Sequence, residues 1–165
     1  MIELTKTEKI NMNITDIAKK VKEQLIQKYP ECVFSVTIER YSMGQSLHIA
    51  LMKADFRVIR NFEDIPEIAF SKIGSGYTKE DIQQRQKEKY HQLNPYQLRQ
   101  NYNTEVWCNG VFLTEQGHNL LKDAVKIADQ YNYDNSDLQT DYFDVNFHLD
   151  VDLGKWNKDF IQETE

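Results

Sequence analysis

Asp144, Asn146, His148, Asp150 and Asp152 stand at alternate positions near the C-terminus, with Tyr142 ahead of them. Carboxylates, a carboxamide and an imidazole in a row are donor types that hold divalent metals or meet cationic partners. A calcium loop is the first template to test. It needs glycine at its sixth position and a bidentate glutamate at its twelfth. Counted from Asp144, those positions hold Leu149 and Lys155, so the template fails. A transition-metal site is the sharper reading. Alternate residues on one strand face lie about 6.8 Å apart, so His148 and Asp150 could share an ion only with help from a neighbouring strand. His48 or Glu39 are the residues to supply it. Exposed strand faces carry Asp, Asn and His without a ligand more often than with one, so no metal and no cofactor is expected.

Other chemistries find less. There is no G-x-S-x-G sequence, and Cys32 and Cys108 share no short spacing and sit in no reactive motif. Both read as free thiols. Gly74-Ser75-Gly76 lacks the lysine and second glycine of a phosphate loop. The tyrosines are spaced for packing rather than set in a basic RNA-binding motif. No catalytic residue is assigned.

Charge points to a partner. The net charge is −6 and the pI is near 5.3, which weighs against nonspecific binding of duplexes, since that binding rests on lysines and arginines set against phosphates. From Ile127 to Gly154 there is no Lys or Arg, while Asp129, Asp134, Asp137, Asp141, Asp144, Asp150 and Asp152 all fall there. A solvated face accounts for that bias. A face for a basic protein accounts for it too, with Tyr142, Asp144, Asn146, His148, Asp150 and Asp152 as its binding residues. Nucleic acid is not expected on this acidic face. Two alternatives stay open: a metal-dependent phosphoesterase or nuclease centred on His148, and a nucleic-acid accessory domain using Lys53, Arg57, Arg60 and a basic helix.

The elements that position these residues follow from periodicity. Over 142–153, Phe143, Val145, Phe147, Leu149, Val151 and Leu153 alternate with the polar set, a pattern only a strand sorts onto two faces. Ile17, Val21 and Leu25 make one stripe of a helix over 15–29, capped by Asn13 or Thr15 and ended by Pro30. Residues 33–41 and 46–53 alternate as a hairpin around Ser42-Met43-Gly44-Gln45, with Gly44 free to take positive φ. Thr78 opens a polar helix over 78–93 that Asn94-Pro95 stops, Asn109-Gly110 suggests a further hairpin over 105–113, and a broad apolar face runs through a helix over 114–131. The expected fold is one α+β domain over 1–165. It has a small antiparallel sheet with helices 15–29 and 114–131 on one face, loose ends at 1–12 and 158–165, and Trp156 tucked against the sheet edge. No apolar run nears the ~20 residues of a membrane helix, and the N-terminus has no secretory pattern, so an intracellular chain is expected.

Two stretches resemble a known family. Asp16-Ile17-Ala18-Lys19, Lys28-Tyr29-Pro30, Phe34-Ser35-Val36 and Arg40-Tyr41-Ser42-Met43-Gly44 are similar to the twenty-ninth of the large polyvalent-protein-associated domains. So is the run from Asn132 to Phe147 closing in Gly154-Lys155-Trp156, while 54–103 diverges. The resemblance implies a domain of phage and conjugative-element proteins, alone or fused to larger chains. It implies no activity and carries over no catalytic residue.

Overall fold

The structure is a computed structural model and describes residues 3–73, 76–105, 110–133 and 145–163. The expected α+β class holds, with helices packed on a sheet.

The chain begins with helix α1, Lys6–Asn11, inside the segment expected to be loose. A reciprocal cap holds it there: Thr5 Oγ1 accepts from the Glu8 amide at 3.2 Å, and the Glu8 carboxylate accepts from the Thr5 amide at 2.8 Å. Helix α2, Ile14–Lys28, starts on the side chain of Asn13, which accepts from the Thr15 amide, and buries Ile14, Ile17, Val21 and Leu25. Strands β1, Val33–Tyr41, and β2, Gly44–Ala54, pair antiparallel. Tyr41 pairs with Gly44, so the loop is only Ser42 and Met43. Gly44 is already a strand residue and is not among the glycines at positive φ.

A short 3-10 turn (Phe62–Asp64), α3 (Glu67–Ser71) and α4 (Lys79–Lys87) follow. The polar helix therefore ends at Lys87 rather than at 93. Residues His91–Leu93 form strand β3, with His91 and Leu93 buried and Gln92 exposed. Three residues of in-out-in alternation suit a sheet edge, where an apolar stripe for a helix was too sparse. Asn94 then caps α5, Pro95–Arg99, with proline at the first turn, so this proline starts a helix as well as stopping the one before.

Residues around Val58 run beside Gly110–Leu113. The Arg60 amide donates to Phe112 O at 2.9 Å and the Thr114 amide to Val58 O at 2.8 Å. Leu113 thus bridges Ile59, and the described part of the expected hairpin pairs elsewhere; 106–109 lie outside the described residues. Gln86 locks this join. Its carboxamide donates to Arg60 O at 2.8 Å and Phe112 O at 3.1 Å, and accepts from the Phe112 amide at 2.8 Å.

Helix α6, Glu115–Asp129, is capped by Thr114 and buries Leu120, Leu121, Ala124, Val125 and Ala128. It packs with α2 over Leu47, Ile49 and Leu51 of β2 in a single core. Strand β4, His148–Leu153, then lies parallel to β2, and β3 pairs antiparallel on its far side. The order is β1-β2-β4-β3, so the sheet is mixed, not wholly antiparallel as expected. The physical reason is the crossover: a strand that returns by way of a helix re-enters from the same end and runs parallel. The tail is also less loose than expected. Phe160 is 2% exposed, strand β5, Ile161–Gln162, pairs with the end of β2, and Gln162 Oε1 accepts from the amides of Val58 and Ile59 at 2.8 and 2.9 Å. No described helix is long and apolar enough to cross a membrane. Cys32 is a free, buried thiol, and burial pushes its pKa up; Cys108 lies outside the described residues.

Candidate functional site on the open face of the sheet

The registers of the sheet build the site. On the face turned away from α2 and α6, three rows cross the strands. Glu39 of β1, Ser46 of β2 and His148 of β4 make the first. Thr37, His48 and Asp150 make the second. Ser35, Ala50, Asp152 and Gln92 make the third. His48 occupies the middle. Its Nε2 lies 3.4 Å from Glu39 Oε2 and its Nδ1 3.3 Å from Asp150 Oδ2, with the Glu39 and Asp150 side chains 64% and 50% exposed. Two carboxylates thus grip one imidazole in open solvent, and no described helix lies across them.

Asp152 sits deeper. Burial pushes its pKa up to about 6, the charge of Asp150 adds to the rise, and the His48 imidazole works against it. Its cross-strand neighbour Ala50 is small, so the sheet floor dips there into a hollow of about 530 Å³ that Asp152, Gln92, Tyr90, Lys155 and Trp156 also border. Trp156 was expected to tuck against the sheet. It stands 84% exposed instead, lifted by a tight turn in which the Lys155 amide donates to Lys158 O at 2.8 Å and Lys158 returns the bond at 3.1 Å. Gly154 makes that turn with φ +69°, and a Cβ there would come within 2.4 Å of Lys89 O. Only glycine combines that conformation with that approach.

Of the six residues expected on the face, His148, Asp150 and Asp152 share it. Asn146 does not. It is buried, its Nδ2 donates to Tyr131 O at 2.8 Å and Lys9 O at 3.2 Å, and its carbonyl accepts from Gln45 Nε2 at 2.8 Å. It ties α1, the end of α6 and the hairpin to the start of β4. Alternation placed it outward, but β4 begins only at His148, so strand parity does not reach it. Tyr142 and Asp144 lie outside the described residues. Glu39 and His48 do join the face, as a neighbouring strand had to if the acidic residues were to cluster. Tyr90, Gln92 and Trp156 escaped sequence reasoning. The His91-Gln92-Leu93 alternation was the signal for the first two; an indole beside a glycine turn gives none.

Among the described residues no group of three or more His, Cys, Asp or Glu side chains is arranged to hold a metal ion. His148 and Asp150 stand in successive rows, and His148 faces Ser46 rather than a further ligand. Of the basic residues proposed for nucleic acid, Arg60 donates to the Tyr102 hydroxyl and Lys79 pairs with Glu67.

A family model described as large polyvalent protein associated domain 29 matches residues 12–117, well over half of the chain. The match runs through the middle that looked divergent and ends before β4. No curated protein and no solved structure matches.

Proposed function

The chain belongs to the large polyvalent protein associated domain 29 family, and from that premise we propose that it is a non-catalytic binding domain of a mobile-element protein, docking a basic segment of a partner protein on its open sheet face. One observation carries the reading. Glu39 and Asp150 flank His48, with Asp152 in the next row, on a face that no described helix covers, with an exposed indole at its rim. Each part has a use for an arginine- or lysine-bearing segment. The carboxylates attract it and select its register. Trp156 offers an aromatic face to a guanidinium and an apolar anchor of the kind that dominates interface energies. The hollow above Ala50 admits a side chain between them.

The test is charge reversal. Asp150→Lys with Asp152→Lys weakens capture of a basic partner from the same element by about 100-fold or more, the scale of losing close charge pairs at an interface. The wild-type association rate falls steeply as salt rises. Binding that survives the reversal, or that ignores salt, refutes the proposal.

A further inference from the structure

A second hollow lies away from the sheet face, between α5, the loop after it and the first turns of α6. It holds about 250 Å³. Four carboxamides, those of Gln97, Gln100, Asn101 and Asn103, and two flat rings, Tyr102 and His118, line it. No carboxylate, ammonium or guanidinium is among the lining residues. A neutral ligand is therefore favoured over an anion or a cation.

The rings are preset. Their centroids are 5.6 Å apart at an interplanar angle of 55°. His118 Nε2 lies 2.8 Å from Gln100 O, so its N–H donates to that carbonyl and fixes the ring. The Tyr102 hydroxyl donates to Leu113 O at 3.3 Å and accepts from Arg60. The carboxamides are half-committed. Asn101 Oδ1 accepts from Lys122 Nζ at 2.8 Å and Asn103 Oδ1 from the Glu105 amide at 2.9 Å. Both amino groups remain as donors. Gln97 Oε1 is buried and has no partner among the described residues. Buried acceptors are almost always paired, so an unpaired one calls for an explanation.

We propose that this hollow binds one nucleobase. A neutral heterocycle with donors and acceptors mixed along its edge matches carboxamides that offer both, and its flat body matches aromatic walls. An apolar ring would leave the carboxamides unpaired, and the two cations behind the wall, Arg60 and Lys122, are already engaged by Tyr102 and Asn101. The volume lies below the ~300–1,000 Å³ of sites for drug-sized ligands, so one base fits and a stacked run does not. The base arrives as a free nucleoside or splayed from a single strand.

The experiment titrates the whole chain, followed by amide NMR, with adenosine, guanosine, cytidine, uridine, a mixed-sequence single-stranded octanucleotide and indole. At least one nucleoside saturates shifts in residues 97–103 and around His118, with a Kd of ~1 mM or tighter. Gln97→Leu and Asn101→Leu each weaken it on the order of tenfold, the loss of one ligand hydrogen bond, without lowering the melting temperature. Tighter binding of the octanucleotide at the same residues identifies a strand as the source; equal or weaker binding identifies the free nucleoside. Absence of nucleoside binding at ~10 mM, indole binding as tightly as any nucleoside, or affinity unchanged in both variants overturns the proposal.

Discussion

Replacing Asp152 with asparagine should stabilise the protein, by an amount that grows as pH rises from about 4 and is complete above about 6. The carboxyl group titrates near 6 in the fold, against an ordinary value of 3.8. Its ionised form is therefore disfavoured by folding. Below 3.8 the group is protonated in both folded and unfolded chains and has no effect. As pH rises toward 6 the unfolded chain loses the proton first, and stability falls. Above about 6 the folded chain is ionised as well, and the full loss is present. A gap of roughly two units, at about 1.4 kcal/mol each, would give about 3 kcal/mol. Asp152 is only partly buried, so solvent screening reduces this to about 1–2 kcal/mol. Asparagine keeps the shape without the charge. Thermal unfolding of Asp152→Asn should shift upward by roughly 2–8 °C at about pH 8 for a chain of this size, and hardly at all at ~pH 2.5, well below the ordinary carboxyl value. A shift that is absent at high pH, or equal at both, would refute the account of Asp152 as a carboxylate held in an unfavourable place. That cost is what a functional residue would show: a cationic partner would relieve it.

Further expectations concern neighbouring parts. Trp156→Ala should leave stability within about 0.5 kcal/mol, because an exposed side chain makes few contacts, while weakening partner binding at least tenfold in the same salt titration. Gly154→Ala should cost more than about 2 kcal/mol in urea unfolding, combining positive φ with a 2.4 Å approach to Lys89 O; a loss below about 0.5 kcal/mol would contradict the tight turn. Gln86→Leu should cost about 2–4 kcal/mol in the same assay, because it strips Arg60 O and both polar groups of the Phe112 backbone of a buried partner.

Local pattern disclosed the helices and the hairpin because each carries its own period and cap. Asn13, Thr78 and Thr114 stand where short side-chain oxygens meet free amides, and all three accept from them. The acidic strand was legible for its last six residues, His148 to Leu153. What was hidden depends on partners distant in the chain. Asn146 turns inward because Tyr131 and Lys9 present carbonyls to it. The parallel pairing of β2 with β4 depends on where α6 returns the chain, which no local period encodes. Strand β3 shows only the three-residue alternation of His91, Gln92 and Leu93, too short to stand out from the polar helix before it. The expectation for Trp156 rested on hydrophobicity alone, and an indole can serve an interface as readily as a core.

The parallel seam between β2 and β4 orders events during synthesis. The hairpin leaves the ribosome with its inner edge bare, and the strand that fills it lies nearly a hundred residues downstream, after α6. At ~5–20 residues per second that gap lasts roughly 5–20 s. Throughout it, Leu47, Ile49 and Leu51 lack their lateral neighbour, and the nascent chain carries an unsealed strand open to adventitious pairing. Closure of the sheet between β2 and β4, and with it assembly of the acidic patch, therefore waits for β4, so a chain interrupted before His148 presents neither.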